Sequence, residues 1–199
     1  MTGSLFSSSD LHEEIKTEKV IKSKAHSLKS KKKRVVGKEN AVCSEVIGKL
    51  EHDTVMQFVT KGEWSTHDLL FHILTQIGAS EVTIATWSVS SPAVAQIANL
   101  LEAGMITKLN GLFDWRMKVR CPEAEQFLKY NCADIRLINC HAKVTVIRNK
   151  DWNITIVGSA NLTNNPRIES GVIFTDKETA DFNLEWMNGE LKNGKYFTE

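Results

Sequence analysis

The sequence lacks several features that would assign it to a common class of small protein. Its four cysteines, Cys43, Cys121, Cys132 and Cys140, form no CxxC pair, and the first ten residues lack the charged start and apolar stretch of a secretory signal. We therefore expect reduced thiols and a cytoplasmic location, or a nuclear one in a eukaryotic host. A zinc site built from Cys132, Cys140 and His141 would need a fourth ligand, and the spacing matches no common zinc module.

The sequence also has no uninterrupted apolar run long enough to span a membrane. Residues 82–101 carry no charge, but eight polar or proline residues interrupt them, so this stretch is predicted to form a strand followed by a helix. We therefore expect no integral membrane association. With 199 residues, of which 42% are hydrophobic, the chain suits one domain with a substantial core.

Charge is nearly balanced over the whole chain but unevenly distributed along it. The formal net charge is +1, yet ten of the 25 Lys and Arg residues and only one of the 24 acidic residues lie between Lys16 and Lys38. The first forty residues are poor in large apolar side chains, so burial cannot offset the entropy lost on ordering. We predict a disordered basic arm over residues 1–40 and a folded domain over residues 41–199. The run KSKKKR at residues 29–34 suits nuclear import or contact with a phosphate backbone, and a solubilising tail is the alternative.

Hydrophobic periodicity predicts alternating helices and strands in the folded domain. Apolar residues at three- and four-residue steps predict one amphipathic helix, or two short ones, over residues 42–59. A helix should begin at Ser65 or Thr66, where a hydroxyl precedes Asp68 by three or two residues, and end at Gly78. Further helices are predicted near residues 92–104, 123–130 and 177–191, and strands near 81–87, 105–112, 134–139, 143–148, 153–157 and 171–174.

The remaining signal is a group of polar side chains in the last third of the chain. His141-Ala142-Lys143 precedes a strand, Gly158-Ser159-Ala160-Asn161 follows the next one, and Glu169 comes before a third. An imidazole, an ammonium, a hydroxyl, an amide and a carboxylate together suit chemistry on a phosphodiester without a metal ion. No cofactor is implied.

At these residues the sequence resembles the phospholipase D superfamily, whose signature is HxK, four residues, Asp, six residues and GSxN. His141-Ala142-Lys143 and Gly158-Ser159-Ala160-Asn161 fit, and six residues separate Asp151 from Gly158. Seven residues, instead of four, separate Lys143 from Asp151, which indicates three extra residues in a hairpin turn. The resemblance extends from Lys61 to the C-terminus. It implies an α/β fold, with a mixed β-sheet flanked by helices on both faces.

The resemblance also implies a role for each polar residue. His141 would be the nucleophile, since an imidazole can be unprotonated near pH 7 and hold a phosphoryl group as an intermediate. Glu169 would fix the imidazole tautomer. Lys143, on the same strand face as His141, would stabilise phosphate charge together with Ser159 and Asn161. Asp151 would be mainly a structural support.

A single HxK motif supplies only one of the two groups that this chemistry requires. One imidazole must attack while a second group protonates the leaving oxygen, and no second HxK occurs in the chain. We therefore expect a homodimer in which two copies of His141 share one active site, as the single-motif family members, small bacterial endonucleases among them, suggest. The short chain and the basic arm favour a nuclease acting on DNA or RNA. The alternatives are a phospholipid-directed phosphodiesterase and an inactive nucleic-acid-binding module.

Overall fold

The computed structural model describes residues 31–36, 42–164 and 166–193. The strands in these ranges are β1 Lys31–Val36, β2 Thr54–Thr60, β3 Ser80–Thr86, β4 Ile106–Asp114, β5 Asp134–Ile138, β6 Val144–Arg148, β7 Asn153–Gly158 and β8 Glu169–Phe174. The helices are α1 Cys43–Ile47, α2 Thr66–Ile77, α3 Ser91–Glu102, α4 Met117–Arg120, α5 Pro122–Asn131 and α6 Lys177–Asn193. None of the described helices is long and apolar enough to cross a membrane.

The strands form one mixed sheet in the order β1-β2-β8-β7-β6-β3-β4-β5. Strands β3, β4 and β5 run parallel to one another, whereas β6 is antiparallel to β3 and is followed by the antiparallel neighbours β7, β8 and β2. The carboxyl ends of β3, β4 and β5 therefore lie at the same edge of the sheet as the start of β6. That edge carries most of the polar residues singled out by the sequence.

Helices cover both faces of the sheet, which confirms the predicted fold class. On one face, buried residues of α1, α2, α3 and α5 pack against the sheet in the larger hydrophobic cluster. On the other face, Ala180, Met187 and Leu191 of α6 pack against Ala85 and Val146 in a smaller cluster. The sheet is thus the central layer of three, and burial on both sides holds its strands in register.

The second predicted helix begins as its sequence indicates. The hydroxyl oxygen of Ser65 accepts a hydrogen bond from the backbone N–H of Asp68, and the carboxylate of Asp68 accepts one from the N–H of Ser65 at 2.8 Å. This reciprocal capping satisfies donors that the first turn leaves unpaired and contributes about 1 kcal/mol. Gly78 ends the helix with φ of 80°, a backbone conformation that costs glycine little.

Two predictions for the N-terminal part of the domain are wrong. Helix α1 stops at Ile47, and residues 54–60 form strand β2 instead of a continuation of the helix. Residues 31–36, assigned to the disordered arm, form strand β1, which pairs in parallel with β2. The remainder of the predicted arm, residues 1–30 and 37–40, lies outside the described residues.

Candidate active site

Three chain segments meet at the sheet edge described above. His141 and Lys143 lie just before β6, and Gly158 ends β7, the antiparallel neighbour of β6. The N–H of Gly158 donates to the carbonyl oxygen of Lys143 at 3.2 Å. The N–H of Ser159 donates to the carbonyl oxygen of Ser170 at 2.9 Å, which ties the turn after β7 to β8. The HxK and GSxN segments, although far apart in sequence, are therefore adjacent.

Ser159 and Glu169 are joined by their side chains. The Ser159 hydroxyl donates a hydrogen bond to the Glu169 carboxylate, and its oxygen accepts one from the N–H of Ser170 at 3.0 Å. In the part of the chain that the structure describes, no hydrogen bond joins Glu169 to His141. The role of Glu169 in fixing the imidazole tautomer therefore stays a prediction, and its observed contact is with Ser159.

Lys143 and Glu169 line a cleft whose floor is apolar. The ammonium of Lys143 donates to the carbonyl oxygen of His141 at 3.0 Å, which bends the side chain back along its own segment. Asn161 lies close by, and its side-chain oxygen accepts a hydrogen bond from the hydroxyl of Thr86 at 3.3 Å. Aromatic and aliphatic side chains from β2, α2 and the central strands form the floor, namely Phe58, Trp64, Ile84, Ile156 and Leu162. The cleft is thus lined by apolar side chains together with the charged side chains of Lys143 and Glu169.

The side chain of His141 is exposed at this edge of the sheet. Its ring centroid lies 6.0 Å from that of Trp87, and the two ring planes make an angle of 56°. The imidazole is therefore accessible to a substrate or to a second protein chain. An exposed imidazole can serve as a nucleophile without first displacing a buried contact.

Three residues outside the predicted site, Trp87, Arg116 and Arg120, form a cluster that meets His141 through the ring of Trp87. The guanidinium carbon of Arg120 lies 4.2 Å from the ring centroid of Trp87, and that of Arg116 lies 5.6 Å away. Their positions in the sequence could have indicated that they are close, since Trp87 directly follows β3 and Arg116 follows the neighbouring strand β4 by two residues. Parallel neighbours end at one edge of a sheet, where binding residues often collect.

Arg116 is held in place by a buried carboxylate. Its Nε donates to Oδ1 of Asp114 at 2.6 Å, and its Nη2 donates to Oδ2 at 3.0 Å. Burial alone would raise the pKa of Asp114, but the hydrogen bonds and the positive charge of Arg116 outweigh it, so the pKa lies below the usual value. Asp114 is thus ionised at neutral pH, and it fixes the guanidinium through two parallel hydrogen bonds.

Asp151 lies away from the other candidate site residues, so the structure does not bring it together with His141 and Lys143. It occupies the turn between β6 and β7, whereas Lys143 and Gly158 lie at the opposite end of that hairpin. Its N–H donates to the side-chain oxygen of Asn149 at 2.9 Å, and its carboxylate is 66% exposed. The length of the β6–β7 hairpin separates this carboxylate from the cleft. Asp151 is therefore part of the turn and not of the cleft.

The cysteines offer no metal centre. All four are free thiols, and burial raises the pKa of Cys43 and of Cys132 to about 12 and raises that of Cys140 as well. Among the residues that the structure describes, no three His, Cys, Asp or Glu side chains could hold a metal ion together, so Cys132, Cys140 and His141 form no ligand set.

Comparison with known proteins links this arrangement to two solved structures. No protein-family model matches the sequence, and no curated protein matches it either. NucT from Helicobacter pylori superposes with a TM-score of 0.56 and 20% identity, covering 70% of this chain and 96% of NucT. Nuc from Salmonella typhimurium, described as a phospholipase D family member, superposes with a TM-score of 0.53 and 16% identity, covering 73% of this chain and 98% of Nuc. The chain has the phospholipase D fold. Nearly the whole length of each neighbour is matched, so the phospholipase D fold accounts for the sheet and for the edge at which the candidate site lies.

Proposed function

We propose that this protein is a metal-independent phosphodiesterase, and specifically a nuclease that acts through a phosphohistidine intermediate. The observation that carries the proposal is the meeting of the HxK and GSxN segments at one sheet edge. The hydrogen bond from the N–H of Gly158 to the carbonyl oxygen of Lys143 joins these segments, and the one from Ser159 to Glu169 joins the GSxN segment to β8. The phospholipase D fold and the exposed imidazole of His141 support the same conclusion.

In the first step, a ring nitrogen of His141 attacks phosphorus. A nitrogen–phosphorus bond forms, the bond from phosphorus to the leaving oxygen breaks, and that oxygen takes a proton from a second imidazole. The ammonium of Lys143 and the amide of Asn161 face the charge that builds on the phosphate oxygens, so they stabilise the transition state. The product is an alcohol and a phosphoryl group held on His141.

In the second step, water releases the phosphoryl group. The second imidazole, now neutral, takes a proton from water as the oxygen of water bonds to phosphorus and the nitrogen–phosphorus bond breaks. Both imidazoles return to their starting protonation states, and one phosphodiester has been hydrolysed. Because the chain has one HxK motif, the second imidazole would be His141 of a second copy in a homodimer.

Nucleic acid is the substrate that the charge distribution favours. The basic run near the N-terminus and the arginines over Trp87, the ring neighbour of His141, both suit a polyanionic chain. A phospholipid substrate would place one phosphodiester at the site with long apolar chains beside it. We therefore propose DNA or RNA as the substrate and treat phospholipid as an outcome that the experiment can distinguish.

The decisive test compares the parent protein with His141→Ala in the presence of EDTA. Single-stranded DNA, RNA and phosphatidylglycerol vesicles are incubated with each protein, and product is quantified over time. We expect cleavage of nucleic acid that EDTA does not abolish and that falls at least about a thousandfold in the variant, since the nucleophile is lost. Lys150→Gln, at the far end of the β6–β7 hairpin, is the matched surface control and should cleave like the parent.

Each other outcome contradicts a different part of the proposal. Equal cleavage by parent and His141→Ala would exclude His141 as the nucleophile. Cleavage of the vesicles alone would make the protein a phospholipid-directed enzyme. Binding of nucleic acid with no cleavage by either protein would indicate an inactive binding module.

A further inference from the structure

The proposed hydrolytic steps do not use a cluster of three side chains, of which Trp87 is the one adjacent to the ring of His141. We call Trp87, Arg116 and Arg120 the Trp87 platform. Trp87 is half-buried, and Arg120, at the end of α4, is exposed and covers the indole at 4.2 Å. The ring of Trp87 also lies 6.0 Å from that of His141. Trp87 therefore links these two guanidiniums to the ring of the proposed nucleophile.

Buried residues at the ends of β3 and β4 position the Trp87 platform. Trp87 directly follows β3, and its position is set by the pairing of Thr86 with Phe113 in the centre of the sheet. Arg116 is anchored by the fully buried carboxylate of Asp114, the last residue of β4. Arg120 follows one turn of α4 later. Sites held by buried strand residues keep their geometry when a ligand binds.

The two arginines differ in the charge they leave available. The charge of Arg116 is largely balanced by Asp114, with which it makes two hydrogen bonds. Among the residues that the structure describes, Arg120 makes no ion pair with a carboxylate, and its contact is with the indole face. A guanidinium over an aromatic face makes a cation–π contact and still has N–H donors for another partner. Those donors match the geometry of a phosphate.

We propose that the Trp87 platform binds a second phosphate of the substrate, one that flanks the phosphodiester attacked by His141. This inference rests on the proposed phosphodiesterase function and deepens it, because it makes the substrate a chain with repeated phosphates. Arg120 contacts the flanking phosphate, Arg116 adds positive potential, and Trp87 supports the guanidinium of Arg120. The preferred substrate is accordingly a polynucleotide, which carries a phosphate on each side of the scissile one.

The chemistry of the platform favours a polynucleotide over a phospholipid. A phospholipid with a single phosphodiester has no second phosphate to meet Arg120. The described residues of the platform also present no broad apolar surface for acyl chains, since its exposed groups are guanidiniums. A polynucleotide supplies a phosphate on each side of the scissile one, so each cleavage would engage both His141 and Arg120.

The first experiment measures binding without cleavage. A fluorescent single-stranded DNA of about 12 nucleotides is titrated into the full chain carrying His141→Ala, with and without Arg120→Gln, at several salt concentrations. Arg120→Gln should weaken binding roughly tenfold and reduce the slope of log K against log salt by about 0.7, as expected for one lost phosphate contact on a single strand. Lys150→Gln, which removes one exposed charge far from the platform, should change affinity by less than about twofold.

The second experiment compares substrates in the catalytically competent protein. We expect Arg120→Gln to lower kcat/KM for the oligonucleotide roughly tenfold more than for bis(4-nitrophenyl) phosphate, which has a single phosphate. Equal losses on both substrates, or binding indistinguishable from that of Lys150→Gln, would overturn the proposal. A greater loss on phosphatidylglycerol vesicles than on the oligonucleotide would instead assign the platform to lipid. If the parent cleaves no diester but Arg120→Gln still weakens DNA binding, the proposed hydrolysis fails and the phosphate site stands.

Discussion

Among single residues, Asp114 has the clearest link between packing and the site. Its carboxylate is completely buried, and such a charge is tolerated only when it is paired and hydrogen-bonded. Arg116 supplies both conditions through two side-chain hydrogen bonds and one from its backbone N–H at 3.2 Å. The pair therefore contributes to stability and also fixes one cation of the Trp87 platform.

Asp114→Asn should destabilise the fold in a pH-dependent way. The shape is kept but the charge is lost, so we expect a cost of about 1–3 kcal/mol in the free energy of unfolding at pH 7. Because the pKa of Asp114 is lower in the folded protein than in the unfolded one, its stabilisation is present above about pH 4 and is lost as pH falls through the folded pKa. Urea denaturation of parent and variant at pH 7 and near pH 3 would measure the difference, which should shrink at the lower pH.

The neighbouring strand provides the control for that measurement. Asp134 pairs with Arg136 at the same two-residue spacing, but its carboxylate is 43% exposed, so Asp134→Asn should cost less than about 1 kcal/mol. Equal losses in the two variants would show that burial of Asp114 does not determine its contribution.

Part of the candidate site could be predicted from the sequence because its residues are brought together by local strand pairing. His141 and Lys143 are close in sequence, and the β6–β7 hairpin brings the GSxN turn back to them through local pairing. The contact between Trp87 and Arg120 depends instead on the pairing of two parallel strands, β3 and β4, which are joined by a whole helix. No local sequence pattern indicates that residues this far apart in sequence are in contact. Asp151, predicted to be a structural support, lies in the turn of this hairpin, at the end away from Lys143 and Gly158.

Among secondary-structure elements, β2 shows why hydrophobic periodicity can mislead. Its inward-facing residues are Thr54, Met56, Phe58 and Thr60, so two of the four buried positions are threonines. Val55, Phe58 and Val59 follow helical spacing and suggested a helix, whereas buried Met56 and Phe58 alternate with exposed Gln57 as in a strand. Strand β1 was not predicted because its sequence is rich in lysine and has no apolar alternation. As an edge strand it pairs with β2 through backbone hydrogen bonds, which lysine side chains do not prevent.

Two glycines test how tightly the elements pack. A Cβ added at Gly171 in β8 would lie 2.5 Å from the ring of Phe58 on β2 and 3.1 Å from the carbonyl oxygen of Val157 on β7. Gly171→Ala should therefore destabilise the protein by about 1–3 kcal/mol, seen as a lower Tm. Gly189 lies within α6 with nothing within 4 Å of an added Cβ, so Gly189→Ala should stabilise by about 0.5–1 kcal/mol. Effects of the same sign in both would contradict this packing.

For the whole molecule, the sheet assembles the groups of one HxK motif and leaves His141 exposed at its edge. Hydrolysis through a phosphohistidine needs, besides the nucleophile, a second group that donates a proton to the leaving oxygen. A twofold axis beside His141 would supply an identical imidazole from a second copy, with the two Trp87 platforms on either side of the shared phosphate. Such a site would bind a polynucleotide symmetrically, with flanking phosphates meeting one platform on each side.

Mixing of subunits tests whether two copies of His141 act on one phosphate. Parent and His141→Ala are combined in equal amounts and allowed to exchange subunits, and activity is compared with a sample assayed before exchange. If each site requires both imidazoles, only the roughly one quarter of dimers with two parent subunits stay active, so activity should fall from about one half to about one quarter of that of the parent alone. Parent mixed with Lys150→Gln should show no such fall. Activity that stays at one half after exchange, or an active species that sediments as a monomer, would mean that a single His141 is sufficient and that another group within the same chain protonates the leaving oxygen.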